Sequence, residues 1–324
     1  MTDADHTTAD PSKYDRLIAA AQAEVAAVTL VVHPCDEPSL RGAVEAGQAK
    51  LIVPVLVGPA AKIRTVATTF CIDLTSCEIV DAPHSHAAAE TAVAMIRAGR
   101  GELLMKGSLH TDELMHAVAD KLTGLQTERR ISHVYVMDVP GHAETLFITD
   151  AAINIFPDLS EKRDIVQNAI DLFVAIGLGT PRVAILSAVE TVTPKIPSTI
   201  EAAVLCKMAE RGQITGGIVD GPLAMDNAMN LEAAMAKVFR NSVSSYAQLA
   251  EAQPVRIFVS GFVNRPGLFN GTSMDSVLQA LAERLQAAEP PPAVPAPTPA
   301  LTAALVITRS RIRNPKIVLA KKSG

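Results

Sequence analysis

The sequence predicts an α/β protein, on three observations. Short apolar runs alternate with longer amphipathic segments from about residue 12 to residue 239; most of the runs are continuously apolar; and the aliphatic, aromatic-poor composition suits parallel sheets covered by helices. Continuous apolar strands between helices are the mark of parallel strands covered on both faces. The 324 residues suffice for two domains of ordinary size, and with 48% hydrophobic but 3% aromatic residues the interiors must be filled by Ala, Val, Leu and Ile.

In chain order the strand candidates are 29–33 (TLVVH), 51–58 (LIVPVLVG), 77–83 (CEIVDAP), 102–107 (ELLMKG), 133–141 (HVYVMDVPG), 146–150 (LFITD), 182–190 (RVAILSAVE) and 216–222 (GGIVDGP). Between most of them apolar residues recur at three- and four-residue spacing, as in LHTDELMHAVADKLTG and SEKRDIVQNAIDLFVAIG, which predicts helices. In PHSHAAAE, His84 and His86 are read as capping a surface helix rather than as a metal pair. Ser198, three residues before Glu201, has capping-box spacing, and Gly212 ends the same helix. LFITD follows the preceding strand too closely for a crossover helix, so this pair is expected to be antiparallel, with a domain boundary near residues 141–145.

The expected organisation is a disordered tail (1–12), a first α/β domain (13–144), a second (145–240), an atypical strand-turn-helix segment (241–289), a Pro-rich linker (290–300) and a basic tail (301–324). Six prolines between Pro290 and Pro299 preclude a helix or central strand there. Arg309, Arg311, Arg313, Lys316, Lys321 and Lys322 are read as a solvated tail rather than an anion-binding arm.

Several function classes are disfavoured. A net charge of −5 offers no field for nucleic acid or anionic lipid. Cys35, Cys71, Cys77 and Cys206 form no CxxC pair, and His33 with Cys35 is too small a set for zinc, so reduced thiols and a cytoplasmic location are expected. No run of 18 uncharged apolar residues predicts a membrane span, and dinucleotide, Walker A, nucleophile-elbow and HExxH motifs are missing.

Ligands of parallel sheets bind beyond the carboxyl ends of strands, where helix N-termini attract anions. Three strand ends qualify. Lys106, Gly107 and Ser108, followed by His110 and Thr111, resemble a phosphate or carboxylate cradle. Lys195, Ser198 and Thr199 lead into another helix, and Asp220 closes a buried strand, with Asp226 and Asn227 just beyond it. A carboxylate in that position must find donors, a metal or a substrate.

LMKGSLHTDELM, AILSAVETVTPKIPSTIEAAVLCKMAERGQITGGIVDGPLAMDNA and VVHPCDEPSLRGAVEAGQAKLIVPVLVGP closely resemble the phosphate acetyltransferase and phosphate butyryltransferase family, most of all the branch described as bifunctional enoyl-CoA hydratase/phosphate acetyltransferase, over residues 14–235. The resemblance implies two α/β domains about a cleft, an isocitrate-dehydrogenase-like architecture and a homodimer. It also implies acyl transfer between coenzyme A and inorganic phosphate, with acyl-CoA and acyl phosphate as the other partners, no cofactor and no metal in the chemical step. Lys106–Thr111, Lys195–Thr199 and Asp220–Asn227 would then wall the cleft: Lys106, Gly107, Ser108, Thr111, Lys195, Ser198, Thr199, Asp226 and Asn227 binding substrate, and Asp220 acting in catalysis.

The rear of the chain departs from that family. A DLEAGN-like loop and an S-R-x-D-S-like segment are missing; Thr308, Arg309 and Ser310 are followed by no carboxylate, and residues 255–283 are similar to a soluble-ligand-binding β-grasp module. The expectation is an acyltransferase with impaired turnover, and the alternative a ligand-binding scaffold derived from one. A third reading makes Asp220 and Asp226 magnesium ligands of a decarboxylating dehydrogenase.

Overall fold

The computed structural model describes residues 13–137, 145–150, 153–225, 228, 257–259, 303–309 and 315–321. Helix α1 (Lys13–Gln22) precedes β1 (Ala27–Val32), α2 (Glu37–Gln48), β2 (Ile52–Gly58), α3 (Ala60–Thr69), β3 (Glu78–Asp81), α4 (Ser85–Arg97), β4 (Leu103–Lys106) and α5 (Thr111–Val118). Then come β5 (Ser132–Met137), β6 (Leu146–Thr149), α6 (Leu159–Ala175), β7 (Arg182–Leu186), α7 (Pro197–Glu210) and β8 (Ile218–Leu223), followed by β9 (Ile257–Val259), β10 (Ala303–Arg309) and β11 (Pro315–Lys321). Each of the eight strand candidates contains an observed strand or overlaps one to within two residues. The α/β expectation therefore holds.

All strands join one sheet in the order β3-β2-β1-β4-β11-β10-β5-β6-β9-β7-β8. The pairs among β1 to β4 are parallel, β11 is parallel to β4, and β10 lies antiparallel between β11 and β5. As the short connection required, β5 and β6 are antiparallel, with Val134 opposite Thr149. Because β9, β7 and β8 follow β6 in parallel, β1 to β5 and β11 run one way and β6 to β10 the other. The carboxyl ends of β1 and β4 thus lie at the opposite end of the strands from those of β7 and β8.

The cores follow the same division. Leu30, Val32, Val55, Val57 and Leu104 pack under α4 and α5 on one face, whereas Val31 and Leu56 pack under Leu40, Ala43, Ile63 and Ala67 of α2 and α3 on the other. Successive strand residues point to opposite faces, so a fully apolar strand is what a two-sided cover requires. In the second half Val134, Phe147, Val183, Ile185, Ile257 and Val259 meet α6 and α7. Phe147 and Phe173 are 5.0 Å apart, edge to face, a geometry that adds about 0.5–1.5 kcal/mol beyond burial.

Two sequence expectations are corrected. Residues 303–309 and 315–321 do not form a solvated tail; they are an antiparallel pair in the middle of the sheet, with Val318 beside Leu104 and Leu305 beside Val134. AALVITR and PKIVLAK are apolar enough for strands, and their outer partners lie far back in the chain, Val134 opposite Leu305 and Leu104 opposite Val318, beyond the reach of local pattern. The Ser198–Glu201 capping box does not form either, because α7 begins at Pro197 with Ile196 at the cap position and no side-chain cap bond. Proline suits that first position, which draws Ser198 into the helix. A capping box does occur on α6, between Asp158 and Glu161. His84 caps α4 by accepting from the Ala87 N–H at 3.2 Å, and Gly212, at φ +71, follows the end of α7, both as expected.

Of the atypical segment, β9 enters the sheet between β6 and β7. Residues 1–12, the 141–144 side of the expected boundary, the Pro-rich linker and the rest of 241–289 lie outside the described residues.

Candidate active site

The strand order β2-β1-β4 makes a topological switch point, since the chain leaves β1 to one side through α2 and returns to the other side at β4. Crevices at such points are where open α/β sheets bind ligands. Here the crevice is a cavity of about 440 Å³ lined by His33, Asp36, Ser39, Ser85, Lys106–His110 and Glu113, among others. Four of the expected residues or their neighbours, Lys106, Gly107, Ser108 and His110, are therefore in its wall.

Its floor is a tight backbone crossing. Gly107 N–H donates to the Val32 carbonyl and Ser108 N–H to the His33 carbonyl, both at 2.9 Å. A Cβ on Gly107 would stand 2.4 Å from the Val32 oxygen and 2.7 Å from the His33 oxygen, so this position requires glycine. His33 has φ 53, and its Nδ1 lies 2.8 Å from the Ser108 carbonyl oxygen. A carbonyl only accepts, so Nδ1 carries the hydrogen, and in the tautomer this selects Nε2 is the accepting nitrogen. Asp36 caps α2 by accepting from Ser39 N–H at 3.0 Å. Lys106 Nζ approaches the Gly107 carbonyl at 3.4 Å.

The other expected residues gather at the opposite end of the strands. Ser187, just after β7, meets Ser198 Oγ at 3.0 Å, and its N–H donates to the Leu223 carbonyl at 2.8 Å. Thr199 is fully buried, accepting from Thr193 N–H at 2.9 Å, and Lys195 is exposed. Thr199 is thus occupied in holding the loop before α7. Asp220, within β8, accepts from Gly221 N–H at 2.8 Å through Oδ1, while Oδ2 is buried with no hydrogen-bond partner among the described residues. Burial pushes this carboxyl above its ordinary value, the Gly221 N–H opposing. Cys206 beside it, donating to the Gly221 carbonyl, is pushed up to about 12 by burial and then by Asp220 and Glu210. Asp226 and Asn227 lie outside the described residues.

The single-cleft arrangement expected for Lys106–Thr111, Lys195–Thr199 and Asp220 is not assembled within one chain. Seven strand intervals separate β4 from β8, roughly 34 Å at ~4.8 Å each, and the strand ends concerned point in opposite directions. Antiparallel pairing of β5 with β6 is the reason.

A second cavity, of about 740 Å³, lies between Thr111, Met115 and Ala119 of α5 and Glu161 and Asp164 of α6, with Arg129 and Arg130 in its wall. Its two arginines are already matched. Arg129 pairs with Asp171, and Arg130 binds Asn154 Oδ1 at 2.7 Å and Glu161 at 3.2 Å. Beneath them Asp150 accepts from the N–H groups of His133, Ile153 and Asn154, and Asn168 donates to the Arg130 carbonyl and to Ser132. The sequence points to neither this knot nor Asp36 and Glu113, and it weighs His33 only as an insufficient zinc ligand. A histidine directly after a strand at the switch point was the available signal for His33.

Among the described residues no group of three or more His, Cys, Asp or Glu side chains is placed to hold a metal ion, and no helix is long and apolar enough to cross a membrane.

Comparison with known proteins supplies the chemistry. Residues 84–250 match the family model for phosphate acetyl/butaryl transferase. A phosphate acetyltransferase of Rhizobium meliloti is 73% identical over 241 residues, 74% of this chain and 76% of that one. One of Rickettsia felis is 55% identical over 222 residues, covering 68% of this chain and 64% of its own length, and a phosphate butyryltransferase of Clostridium acetobutylicum is 40% identical over 66% of this chain and 71% of that one. In fold, the chain resembles a branched-chain phosphotransacylase from Enterococcus faecalis V583, with a TM-score of 0.64 at 20% identity over 91% of this chain and 92% of that one. With the α/β fold and these matches together, the chain belongs to the phosphate acetyltransferase and butyryltransferase family of acyltransferases.

Proposed function

We propose that this chain transfers an acetyl group between coenzyme A and inorganic phosphate, with acetyl phosphate as the other product, in the cytoplasm and without a metal or other cofactor. The observation that carries this reading is the 73% identity to a protein named phosphate acetyltransferase; relatives named for butyryl transfer stand at 40% or below.

Both substrates carry phosphate, and the β1/β4 crevice offers the Lys106 ammonium on a strand end that Gly107 lets pack tightly against β1. In the direction of acyl-CoA synthesis the thiol must lose its proton. We assign that proton to Asp220, whose burial-raised carboxyl makes it a better base than an ordinary aspartate. The thiolate then attacks the acetyl carbonyl, the carbon–oxygen bond to phosphate breaks, and phosphate leaves with the electron pair. Within one chain Asp220 and Lys106 are too far apart to share a substrate, so this assignment requires two copies, in keeping with the homodimer that the family likeness implies. Lys195 and Ser198 would line the Asp220 side.

Free-thiol release from acetyl-CoA and butyryl-CoA, with and without inorganic phosphate, tests the reading. Phosphate-dependent release, faster with acetyl-CoA, is expected; a folded chain that releases no thiol sinks it. Lys106→Met should lower kcat/KM by about 10- to 100-fold, the worth of one charge-assisted hydrogen bond. Asp220→Asn should lower kcat by about 10²- to 10⁴-fold. Mixing the two variants should restore part of the turnover if their residues meet between subunits.

A further inference from the structure

We propose that the crevice between β1 and β4 holds the nucleotide end of coenzyme A, with His33 and Glu113 accepting hydrogen bonds from its hydroxyl and amino groups while Lys106 meets a phosphate. The identity of the ligand rests on the acyl-transfer reading above; the chemistry of the crevice does not.

His33 is the anchor. It is 9% exposed, yet among the described residues only its Nδ1 has a partner. The ring is clamped on its backbone side: His33 N–H donates to the Val57 carbonyl at 2.7 Å, and the His33 carbonyl accepts from Cys35 and Ser108 at 2.8 and 2.9 Å. A Cβ on Gly58 would lie 3.3 Å from the His33 Cα and 3.7 Å from its Cδ2. Left-handed backbone is unfavourable for any residue but glycine, so His33 is held there at a cost. That expense fixes a ring whose accepting Nε2 belongs to the cavity wall, an arrangement stored where a ligand is gripped rather than where a core is filled.

Glu113 gives a second, independent indication. Its Oε1 is 3.8 Å from His86 Nε2, and its Oε2 is buried with no hydrogen-bond partner among the described residues. A buried acceptor left without a donor forfeits its hydration, a cost that a donating ligand would recover. Lys106, on the same wall, has the Gly107 carbonyl at 3.4 Å as its described partner.

Two acceptors beside one cation select the class of ligand. Inorganic phosphate suits Lys106 but is repelled by the Glu113 carboxylate and brings little for Nε2. A nucleotide offers ribose hydroxyls and a base amino group to the acceptors and phosphate to the lysine. The volume of about 440 Å³ falls in the range of small-ligand and cofactor sites, and the location is the switch point of the first half of the sheet.

The test is calorimetric titration of the full-length chain with adenosine 3′,5′-bisphosphate, for the wild type, His33→Asn and Glu113→Gln. Asparagine tolerates left-handed backbone and retains a donor for the Ser108 carbonyl while removing Nε2. The wild type should bind the bisphosphate, in competition with coenzyme A, and each variant should bind at least tenfold more weakly with thermal unfolding unchanged. If His33→Asn fails to fold, Glu113→Gln decides. No binding by the wild type, or equal binding by the folded variants, overturns the proposal. Thiol release measured on the same preparations keeps the two readings apart. Bisphosphate binding lost in the variants, without thiol release by the wild type, sinks acetyl transfer and leaves the crevice standing; thiol release with undiminished binding in the variants sinks the crevice alone.

Discussion

Two polar centres of opposite character sit on one sheet. Around β5, β6 and the start of α6, Asp150, Asn154, Asp164 and Asn168 are 3–8% exposed and bonded to one another's neighbourhood: Asp150 to three backbone N–H groups, Asp164 to Arg130 N–H at 3.0 Å, Asn154 to the Ile131 carbonyl at 2.8 Å. In the β1/β4 crevice, His33 Nε2 and Glu113 Oε2 face no donor among the described residues. Burial alone does not separate the two centres, nor does satisfaction at every atom, since His133 Nδ1 on β5 is also buried without a partner among the described residues; what sets the crevice apart is that its open acceptors line a cavity. A bonded network fixes the antiparallel junction of the two halves, whereas acceptors left open beside a cavity are positioned for something other than the protein.

The sharpest way to break this contrast is Asp150→Ala. It strands the N–H groups of His133, Ile153 and Asn154 at a buried site, and should cost on the order of 3 kcal/mol or more in urea unfolding. Asp150→Asn, which keeps an acceptor, should cost less. A loss under about 1 kcal/mol for the alanine variant would mean that the knot does not hold the junction.

Gly107→Ala comes next. Its Cβ would be forced against the backbone oxygens of Val32 and His33, neither of which can move without breaking the strand-end bonds, so about 1–3 kcal/mol of overpacking is expected. Gly212→Ala is the matched control, since φ is +71 there but nothing lies within 4 Å of the new Cβ. It should show the left-handed cost alone, about 1–2 kcal/mol, and should leave bisphosphate binding intact. Equal binding by Gly107→Ala and the wild type would remove Gly107 from the ligand site.

These centres differ in how far the sequence foretold them. Strand runs such as LIVPVLVG are local and strongly patterned, and the connection before LFITD was too short for anything but an antiparallel pair, so the layers and the β5/β6 reversal were legible. The Lys106–His110 wall was legible as well, because a lysine and a glycine at a strand end carry their chemistry in their type. The other side of that crevice was not. His33 and Glu113 matter through the pairing of β1 with β4, whose partners Thr29 and Leu103 lie far apart in the chain, and through the turn that aims each side chain. The tail reading of residues 301–324 failed similarly, as basic residues masked two strands whose partners lie far back in the chain. Asp220 stood out in the sequence as a carboxylate in need of partners, yet only the topology places it across the sheet from Lys106.

The smallest expected effect concerns Asp220 and tests its solitude without reference to turnover. Burial raises its carboxyl above the ordinary 3.8, so the folded chain binds this proton more tightly than the unfolded chain does. Between the ordinary and the raised value the folded state then holds more protons, and stability falls as pH rises through that interval. Asp220→Asn should flatten this part of the stability profile and leave the chain more stable above it. The same change removes one of the two carboxylates that hold the Cys206 thiol near 12. Alkylation of Cys206 at pH 10, followed by peptide mapping to separate it from exposed Cys71, should therefore quicken in the variant, though modestly, because burial is the larger cause. An unchanged stability profile together with unchanged alkylation would show that the Asp220 carboxyl finds a donor in the folded protein, and its assignment as a poised base would fall with its isolation.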